Sequence, residues 1–248
     1  MVRLIRKLLA SSLGTEKYLR LVSASYIRMV NAGMMKNKYP ELFFLKNVVR
    51  QGDYCIDLGA NVGYYSTQLS KITGSQGKVF AVEPVTLFRN VLKTNLKKFN
   101  CGNVELLAYA LGAENKAIKM GTPEIAGVFR HGLTKVIEKD QEQFAQTYEV
   151  EMRIPDELFS DLTRLDFIKC DVEGYEIFIF PYFIQTLKKF LPLIQMEISS
   201  PDNRKKIFDT ITPLGYEIFG LKQSQLIKLS ETEGLSYENG DFYFKCKR

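Results

Sequence analysis

Short apolar runs alternate with helical patterns between Tyr54 and Leu214, and this alternation constrains the fold more than any other feature of the chain. Five runs have the length and composition of buried strands: residues 54–58, 78–82, 104–110, 165–170 and 193–198. Helical patterns follow four of them, at residues 63–72, 85–100, 182–190 and 204–214. This order is typical of a parallel sheet with helices on both faces, in which all carboxyl ends of the strands meet at one ligand-binding edge.

Helical patterns also occupy the start of the chain. Helices predicted over residues 2–13 and 16–34 form an N-terminal extension of residues 1–40. A third helix, over residues 41–50, opens a single domain that we assign to residues 41–248.

The strands outside the alternating region are short. Residues 115–155 are irregular, with strands predicted near 117–120 and 148–154. Three more strands close the chain, at residues 216–220, 225–229 and 242–245. We predict that the last two of these form a hairpin.

Positive charge is concentrated at the start of the chain. The 248 residues include 34 Lys and Arg against 28 Asp and Glu, which gives a net charge of +6. The first 50 residues hold ten of the basic and two of the acidic side chains, so they carry +8 and the remaining 198 residues carry −2. The part of the chain that holds the strands is therefore slightly acidic, and we expect no nucleic-acid partner.

The first residues predict a basic amphipathic helix, with Arg3, Arg6 and Lys7 opposite an apolar side. Such a helix can lie on an anionic membrane, which makes residues 1–14 candidates for peripheral contact with the inner membrane face. The alternative that we favour is a helical cap whose basic side chains face water. The chain has no run of about 18 apolar residues. Its four cysteines are dispersed, which suits a reducing, cytoplasmic interior.

A glycine-rich loop follows the first predicted strand. The acid before it and the loop itself comprise Asp57, Gly59, Ala60, Asn61 and Gly63. Glycines permit a tight turn, and a carboxylate at this point suits a cationic group such as the ammonium of an amino acid. Glu83 ends the second strand, where an acid can accept hydrogen bonds from both hydroxyls of a ribose. Together these features predict a site for an adenosine-linked amino acid. The alternative is a glycine turn with two incidental acids.

Three segments resemble the FkbM family of S-adenosylmethionine-dependent methyltransferases. They are residues 57–66 (DLGANVGYYS), 77–84 (GKVFAVEP) and 168–176 (IKCDVEGYE), of which the third is the most specific. The resemblance implies a Rossmann-like class I α/β fold with a seven-stranded, mostly parallel sheet whose last strand is antiparallel. It also implies S-adenosyl-L-methionine as the methyl donor and a hydroxyl acceptor, usually on a sugar or another secondary metabolite.

The resemblance further implies the cofactor contacts. Around the methionine part of the cofactor it places Asp57, Gly59, Asn61 and Gly63, with Ala60 in the same loop. It places Glu83 on the ribose, and Ala110 and Leu111 near the adenine. The match weakens over residues 121–160.

Carboxylates follow the fourth and fifth predicted strands. Asp171 and Glu173 come after the fourth strand, and Glu197 lies near the end of the fifth. An alcohol acceptor must lose a proton, so we predict Asp171 or Glu173 as the general base and Glu197 as the group that orients the acceptor. In one alternative, Asp171 and Glu173 only bind backbone amides in a turn at Gly174. In another, Asp171 and Glu197 ligate a metal ion, although we expect no metal.

Two other polar residues stand in suggestive places. His131 is the single histidine and a ready base near neutral pH, but we interpret it as an exposed loop residue. Lys169 lies within an apolar strand, where it can pair with one of the acids. The sequence thus predicts an O-methyltransferase for a sugar, glycan or other small molecule. A nucleic-acid methyltransferase and a membrane-peripheral protein without catalysis are the alternatives.

Overall fold

The structure, a computed structural model, describes residues 12–137 and 143–247. The helices of the described residues are α1 (Thr15–Asn31), α2 (Pro40–Val48), α3 (Tyr64–Thr73), α4 (Thr86–Lys98), α5 (Pro155–Leu158), α6 (Glu176–Ile179), α7 (Ile184–Phe190), α8 (Pro201–Ile211) and α9 (Glu231–Leu235). Single turns of 3-10 helix lie at His131–Leu133, Phe180–Tyr182 and Thr212–Leu214.

Strands of the described residues form three sheets. The main sheet contains β1 (Tyr54–Leu58), β2 (Lys78–Val82), β3 (Val104–Leu107), β10 (Phe167–Cys170), β11 (Leu193–Glu197), β12 (Tyr216–Lys222), β13 (Gln225–Leu229) and β14 (Asp241–Cys246). The second sheet contains β4 (Ala110–Leu111), β5 (Lys116–Thr122), β8 (Lys135–Val136) and β9 (Gln146–Arg153). A short ribbon joins β6 (Glu124–Ile125) to β7 (Val128–Phe129).

The main sheet has the order β13-β12-β14-β11-β10-β1-β2-β3. The five strands from β11 to β3 are parallel, and β14 is antiparallel to β11, as the sequence resemblance implied. The sheet has eight strands rather than seven, because β13 turns back on β12 and adds an antiparallel edge strand. Helices lie on both faces, so the predicted α/β class is confirmed.

The predicted hairpin between the last two strands is wrong. The hairpin is formed by β12 and β13, and β14 inserts between β11 and β12. Burial explains the difference, because Phe242 and Phe244 are fully buried against Phe208 and need a central position in the sheet. β13 is only partly buried, which suits an edge.

The third predicted strand, over residues 104–110, is two strands in different sheets. β3 ends at Leu107, and Ala110 and Leu111 pair instead with Met152 and Arg153 of β9. β9 alternates exposed residues with buried Val150 and Met152, so one of its faces packs on the body and the other faces solvent. The second sheet therefore forms a separate layer at the carboxyl edge of the main sheet.

The N-terminal helix α1 packs against α4. Leu19 belongs to one apolar cluster with Phe88 and Val91. The buried amide of Asn95 donates hydrogen bonds to Ser23 Oγ at 2.9 Å and to the carbonyl oxygen of Val62 at 2.8 Å.

The division of the chain at residue 40 stays a prediction. The helix predicted over residues 2–13 falls outside the described residues except for its last two. Across the described residues, no helix is both long and apolar enough to span a membrane.

Candidate functional site

The glycine loop after β1 packs closely against the chain that follows β10. Gly59 has a φ of +79°, and a Cβ atom there would lie 1.9 Å from the carbonyl oxygen of Asp171. Gly63 has a φ of +92°, and a Cβ atom there would lie 2.3 Å from Leu92 Cδ1. Both positions therefore require glycine. Asn61 between them also has a left-handed φ of +48°.

Glu83 is buried at the carboxyl end of β2. Its two carboxylate oxygens accept backbone hydrogen bonds, from Asn61 at 2.9 Å and from Val85 at 2.8 Å. Burial raises the pKa of Glu83 to about 7, against the lowering effect of the two amides. Each oxygen keeps a further lone pair, so this fixed carboxylate can accept hydrogen bonds from a pair of ligand hydroxyls.

A cavity beside Glu83 lies between the main sheet and the second sheet, and we name it the first cavity. Its walls are mostly apolar and include Val82, Phe88, Leu111, Met120 and Ile179. Gly59, Asn61, Glu83 and Ala110 also line it. The structure thus brings three groups to one cavity: Glu83, which is predicted to bind the ribose, Ala110 and Leu111, which are predicted to lie near the adenine, and part of the glycine loop.

His131 also lines the first cavity, so its interpretation as an exposed loop residue is wrong. Its Nδ1 lies 2.8 Å from Asn61 Oδ1, and its carbonyl oxygen accepts a hydrogen bond from Asn61 Nδ2 at 2.9 Å. Burial lowers the pKa of His131 to about 4, so the imidazole is neutral at physiological pH. These two contacts with Asn61 connect the segment before β8 to the glycine loop. The only sequence signal for this was the position of His131 within residues 121–160, where the match to the family is weak.

Asp57 lies beneath the glycine loop and is almost fully buried. Its Oδ2 accepts a hydrogen bond of 2.5 Å from Ser66 Oγ at the start of α3. Burial raises the pKa of Asp57 to about 6, although Ser66 and Lys169 both act to lower it. The sequence analysis identified Asp57 but not Ser66, which is the last residue of the quoted segment 57–66.

A second cavity lies on the other side of the glycine loop. Four tyrosines line it, Tyr26, Tyr39, Tyr64 and Tyr65, together with Gly59, Ala60 and Asn61 of the loop. The remaining walls carry charged side chains, from Glu41, Asp57, Lys169, Asp171, Glu197 and Asp241. Gly59, Asn61, Tyr64 and Asp171 line both cavities. Asp171 therefore stands at the junction of the two. Gly63 lines neither cavity and packs against Leu92 of α4.

The three predicted catalytic carboxylates all lie at this edge of the sheet. Glu173 lines the first cavity, Glu197 the second and Asp171 both. Burial and then the charge of Asp171 raise the pKa of Glu173 to about 8, and the same two causes raise that of Glu197 to about 7. No group in the described residues donates a hydrogen bond to the carboxylate of Asp171 or Glu173, whereas Glu176 accepts one from the amide of Gly174 at 3.2 Å. The turn at Gly174 is thus bound by Glu176.

Lys169 is 1% exposed and extends into the second cavity. Burial disfavours its charged form, but the carboxylates of Asp171, Asp241 and Glu197 outweigh this effect and raise its pKa. Its ammonium lies 4.9 Å from the centre of the Tyr65 ring. Among the described residues, no group of three or more His, Cys, Asp or Glu side chains is placed to hold a metal ion.

A sheet of this order, with a glycine loop after β1 and an acid after β2, defines a class I S-adenosylmethionine-dependent methyltransferase. The sequence profile described as "Methyltransferase FkbM domain" matches residues 57–219, more than half of the chain. The chain therefore belongs to the FkbM methyltransferase family, and its methyl donor is S-adenosyl-L-methionine. Among curated protein sequences none matches this chain.

Solved structures similar to this chain include other methyltransferases. Methyltransferase FkbM from Methylobacillus flagellatus KT is 14% identical, with a TM-score of 0.49, over 80% of this chain and 48% of that one. Precorrin-6y C5,15-methyltransferase from Geobacter metallireducens GS-15 is 16% identical, with a TM-score of 0.48, over 84% of each chain. A SAM-dependent O-methyltransferase from Thermotoga maritima is 15% identical, with a TM-score of 0.47, over 84% of this chain and 66% of that one.

The two cavities fit the parts of this cofactor. Glu83 is a fixed acceptor for two hydroxyls beside apolar walls that suit adenine. The second cavity is rich in carboxylates, which suit the ammonium and the sulfonium charge. The glycine loop lines both cavities, so a single ligand that occupies both would extend across this loop.

Proposed function

We propose that the protein transfers a methyl group from S-adenosyl-L-methionine to a hydroxyl of a sugar, a glycan or another small molecule. One observation carries the proposal: Asp171 lies where the two cavities meet, and its carboxylate accepts no hydrogen bond from any described group. A carboxylate in this place is available to a ligand hydroxyl. The proposed site residues are Asp57, Gly59, Ala60, Asn61, Gly63, Glu83, Ala110 and Leu111 for the cofactor and Asp171, Glu173 and Glu197 for the acceptor.

When bound, the cofactor would supply a methyl group on a sulfonium for in-line transfer to the acceptor oxygen, with the electron pair of the broken C–S bond staying on sulfur. The hydroxyl proton passes to Asp171 or Glu173. Positioning supplies much of the rate in such a displacement, and Glu197 orients the acceptor.

The catalytic roles are tested with two conservative variants. Transfer of labelled methyl groups from S-adenosylmethionine is measured on a panel of polyols, oligosaccharides and nucleic acids. We expect Asp171→Asn or Glu173→Gln to lower turnover about 100-fold or more on the preferred acceptor, while the cofactor dissociation constant changes less than about threefold. Full turnover in both variants contradicts the assignment of the base.

Acceptor class is decided by the same panel. Residues 51–248 carry a net charge of −2, which does not favour a polyanion, so methylation of RNA or DNA above that of the polyols contradicts the proposed acceptor.

We place the protein in the cytoplasm, with residues 1–14 as the candidate membrane contact. Deleting residues 2–11 leaves α1 in place, and this variant and the full chain are compared by co-sedimentation with anionic vesicles.

A further inference from the structure

Two rows of polar side chains cross the main sheet beneath the second cavity. In the lower row, Asp57, Lys169, Gln195 and Tyr243 are neighbours in register on β1, β10, β11 and β14. All four are buried, and residues in register point to the same face of a sheet. In the upper row, Asp171, Glu197 and Asp241 lie two residues further toward the carboxyl edge and so share that face. Lys169 is the one cation in the two rows.

The Lys169 ammonium has hydrogen-bonding capacity left over. An ammonium has three donors, and the hydrogen bond that the structure gives it goes to the carbonyl oxygen of Cys170, at 3.2 Å. No ion pair within 4.0 Å joins it to any carboxylate of the described residues. A buried cation whose remaining donors face a cavity is suited to an anionic ligand group, because that group supplies the missing hydrogen bonds.

The charge of the cavity restricts what that ligand can be. Five carboxyl side chains line the second cavity, from Glu41, Asp57, Asp171, Glu197 and Asp241, and Lys169 is the cation among them. A simple anion would be repelled by this set. A ligand with two positive groups and one negative group matches it, if the negative group lies next to Lys169. The methionine end of S-adenosylmethionine, with an ammonium, a sulfonium and an α-carboxylate, has this pattern.

We propose that Lys169 binds the α-carboxylate of the cofactor, and that the carboxylates of the second cavity outside the acceptor side, from Glu41, Asp57 and Asp241, hold its ammonium. This assignment rests on the proposed function, since it places the methionine end of the cofactor in the second cavity. Lys169 thereby fixes which way the amino acid lies, and it directs the methyl group toward Asp171. It is a binding residue rather than a proton carrier, because its raised pKa keeps it charged.

The test removes the carboxylate from the ligand and the ammonium from the protein, separately and together. Three ligands are titrated by calorimetry into the full chain: S-adenosylmethionine, its decarboxylated form, which keeps the amine, and 5′-methylthioadenosine, which lacks the amino acid. Lys169→Met keeps the length of the side chain and loses its charge. Lys71→Met, at an exposed lysine near the far end of α3, is the matched control.

In Lys169→Met, we expect affinity for S-adenosylmethionine to fall roughly 10- to 100-fold, as for the loss of a charged hydrogen-bond partner. Affinity for the decarboxylated form should stay the same or rise, because a positive charge near its amine is removed. Binding of 5′-methylthioadenosine should not change, which shows that the variant is folded and its first cavity intact. Lys71→Met should behave as the wild type with all three ligands.

Equal losses for S-adenosylmethionine and its decarboxylated form, or no loss for either, overturn the proposal. The wild type gives a second measurement that needs no variant. If it binds the decarboxylated form as tightly as S-adenosylmethionine, the α-carboxylate has no partner and Lys169 does not hold it. Failure of the wild type to bind any of the three ligands has a different meaning, since it contradicts the cofactor site and with it the proposed function.

Discussion

At the scale of single residues, the site depends on backbone groups that fix side chains before a ligand arrives. Glu83 shows this most clearly, because its two oxygens are held by the amides of Asn61 and Val85. A carboxylate held in this way need not reorganise when it meets two hydroxyls. Burial makes it costly to ionise in the free protein, and a ligand that donates hydrogen bonds to it offsets part of that cost.

Glu83→Gln tests this acceptor. An amide offers one oxygen and one NH₂ group, so one of the two backbone donors would face another donor. We expect a loss of about 1–3 kcal/mol in the free energy of unfolding and a loss of at least about tenfold in affinity for S-adenosylmethionine. Glu105→Gln, at an exposed position on β3, is the control and should change neither. Chemical denaturation and calorimetry give the two quantities, and wild-type affinity in Glu83→Gln contradicts the ribose assignment.

Gly59→Ala tests the contact between the glycine loop and β10. The new methyl group would collide with the Asp171 carbonyl oxygen, and the residue would keep an unfavourable φ of +79°. We expect a destabilisation of more than about 1 kcal/mol, together with weaker cofactor binding. Gly102→Ala is the matched control, because a Cβ atom there meets nothing within 4 Å. Equal midpoints of denaturation for the two variants would show that the close approach is not needed.

At the scale of elements, the order of the last strands is the least expected feature. β14 comes last in the chain but lies inside the sheet, between β11 and β12. The apolar character of Phe242 and Phe244 was visible in the sequence, yet pattern alone does not decide which strand is the neighbour. The same holds for Ala110 and Leu111, which follow β3 without a break in composition and still pair with β9.

Phe244→Ala distinguishes a central from an edge strand. Phe244 is fully buried between α8 and the sheet, so we expect a loss of about 3–5 kcal/mol in the free energy of unfolding. Phe178→Ala, at a side chain that is 40% exposed, should cost less than about 1 kcal/mol. Urea denaturation measures both. A small loss in Phe244→Ala would place β14 at an edge, contrary to the structure.

Much of the fold and the glycine loop could be predicted because local patterns encode them. Apolar runs, glycine positions and strand-end acids such as Asp57 and Glu83 are read directly from the chain. His131 and Lys169 could not be placed in this way. The first depends on where an irregular segment folds back onto Asn61, and the second on which residues of β1 and β11 lie beside it in register.

At the scale of the whole molecule, charge is separated. The first 50 residues carry a net charge of +8, while the carboxyl edge of the main sheet collects acids. Crowded and partly buried carboxyls hold their protons more tightly in the folded protein than in the unfolded chain. For such a group, ionisation favours unfolding, so its contribution to stability is lost as pH rises from the unfolded pKa through the folded pKa.

Glu197 is the group with which to test that dependence. Its pKa of about 7 in the folded protein lies above its usual value of 4.5, so the wild type loses stability as pH rises through this range. In Glu197→Gln this loss is absent. We expect the two proteins to melt at the same temperature near pH 4.5 and the variant to melt at a higher temperature at pH 8. An equal difference in melting temperature at both pH values contradicts the raised pKa.

The most direct test of the account is a crystal structure of the protein with S-adenosylhomocysteine. We expect adenine and ribose in the first cavity, with both ribose hydroxyls on Glu83, and the homocysteine end in the second cavity. We also expect the sulfur to face the junction at which Asp171 lies. A ligand bound away from Glu83, or a sulfur directed away from Asp171, would contradict the cofactor site and the proposed base together.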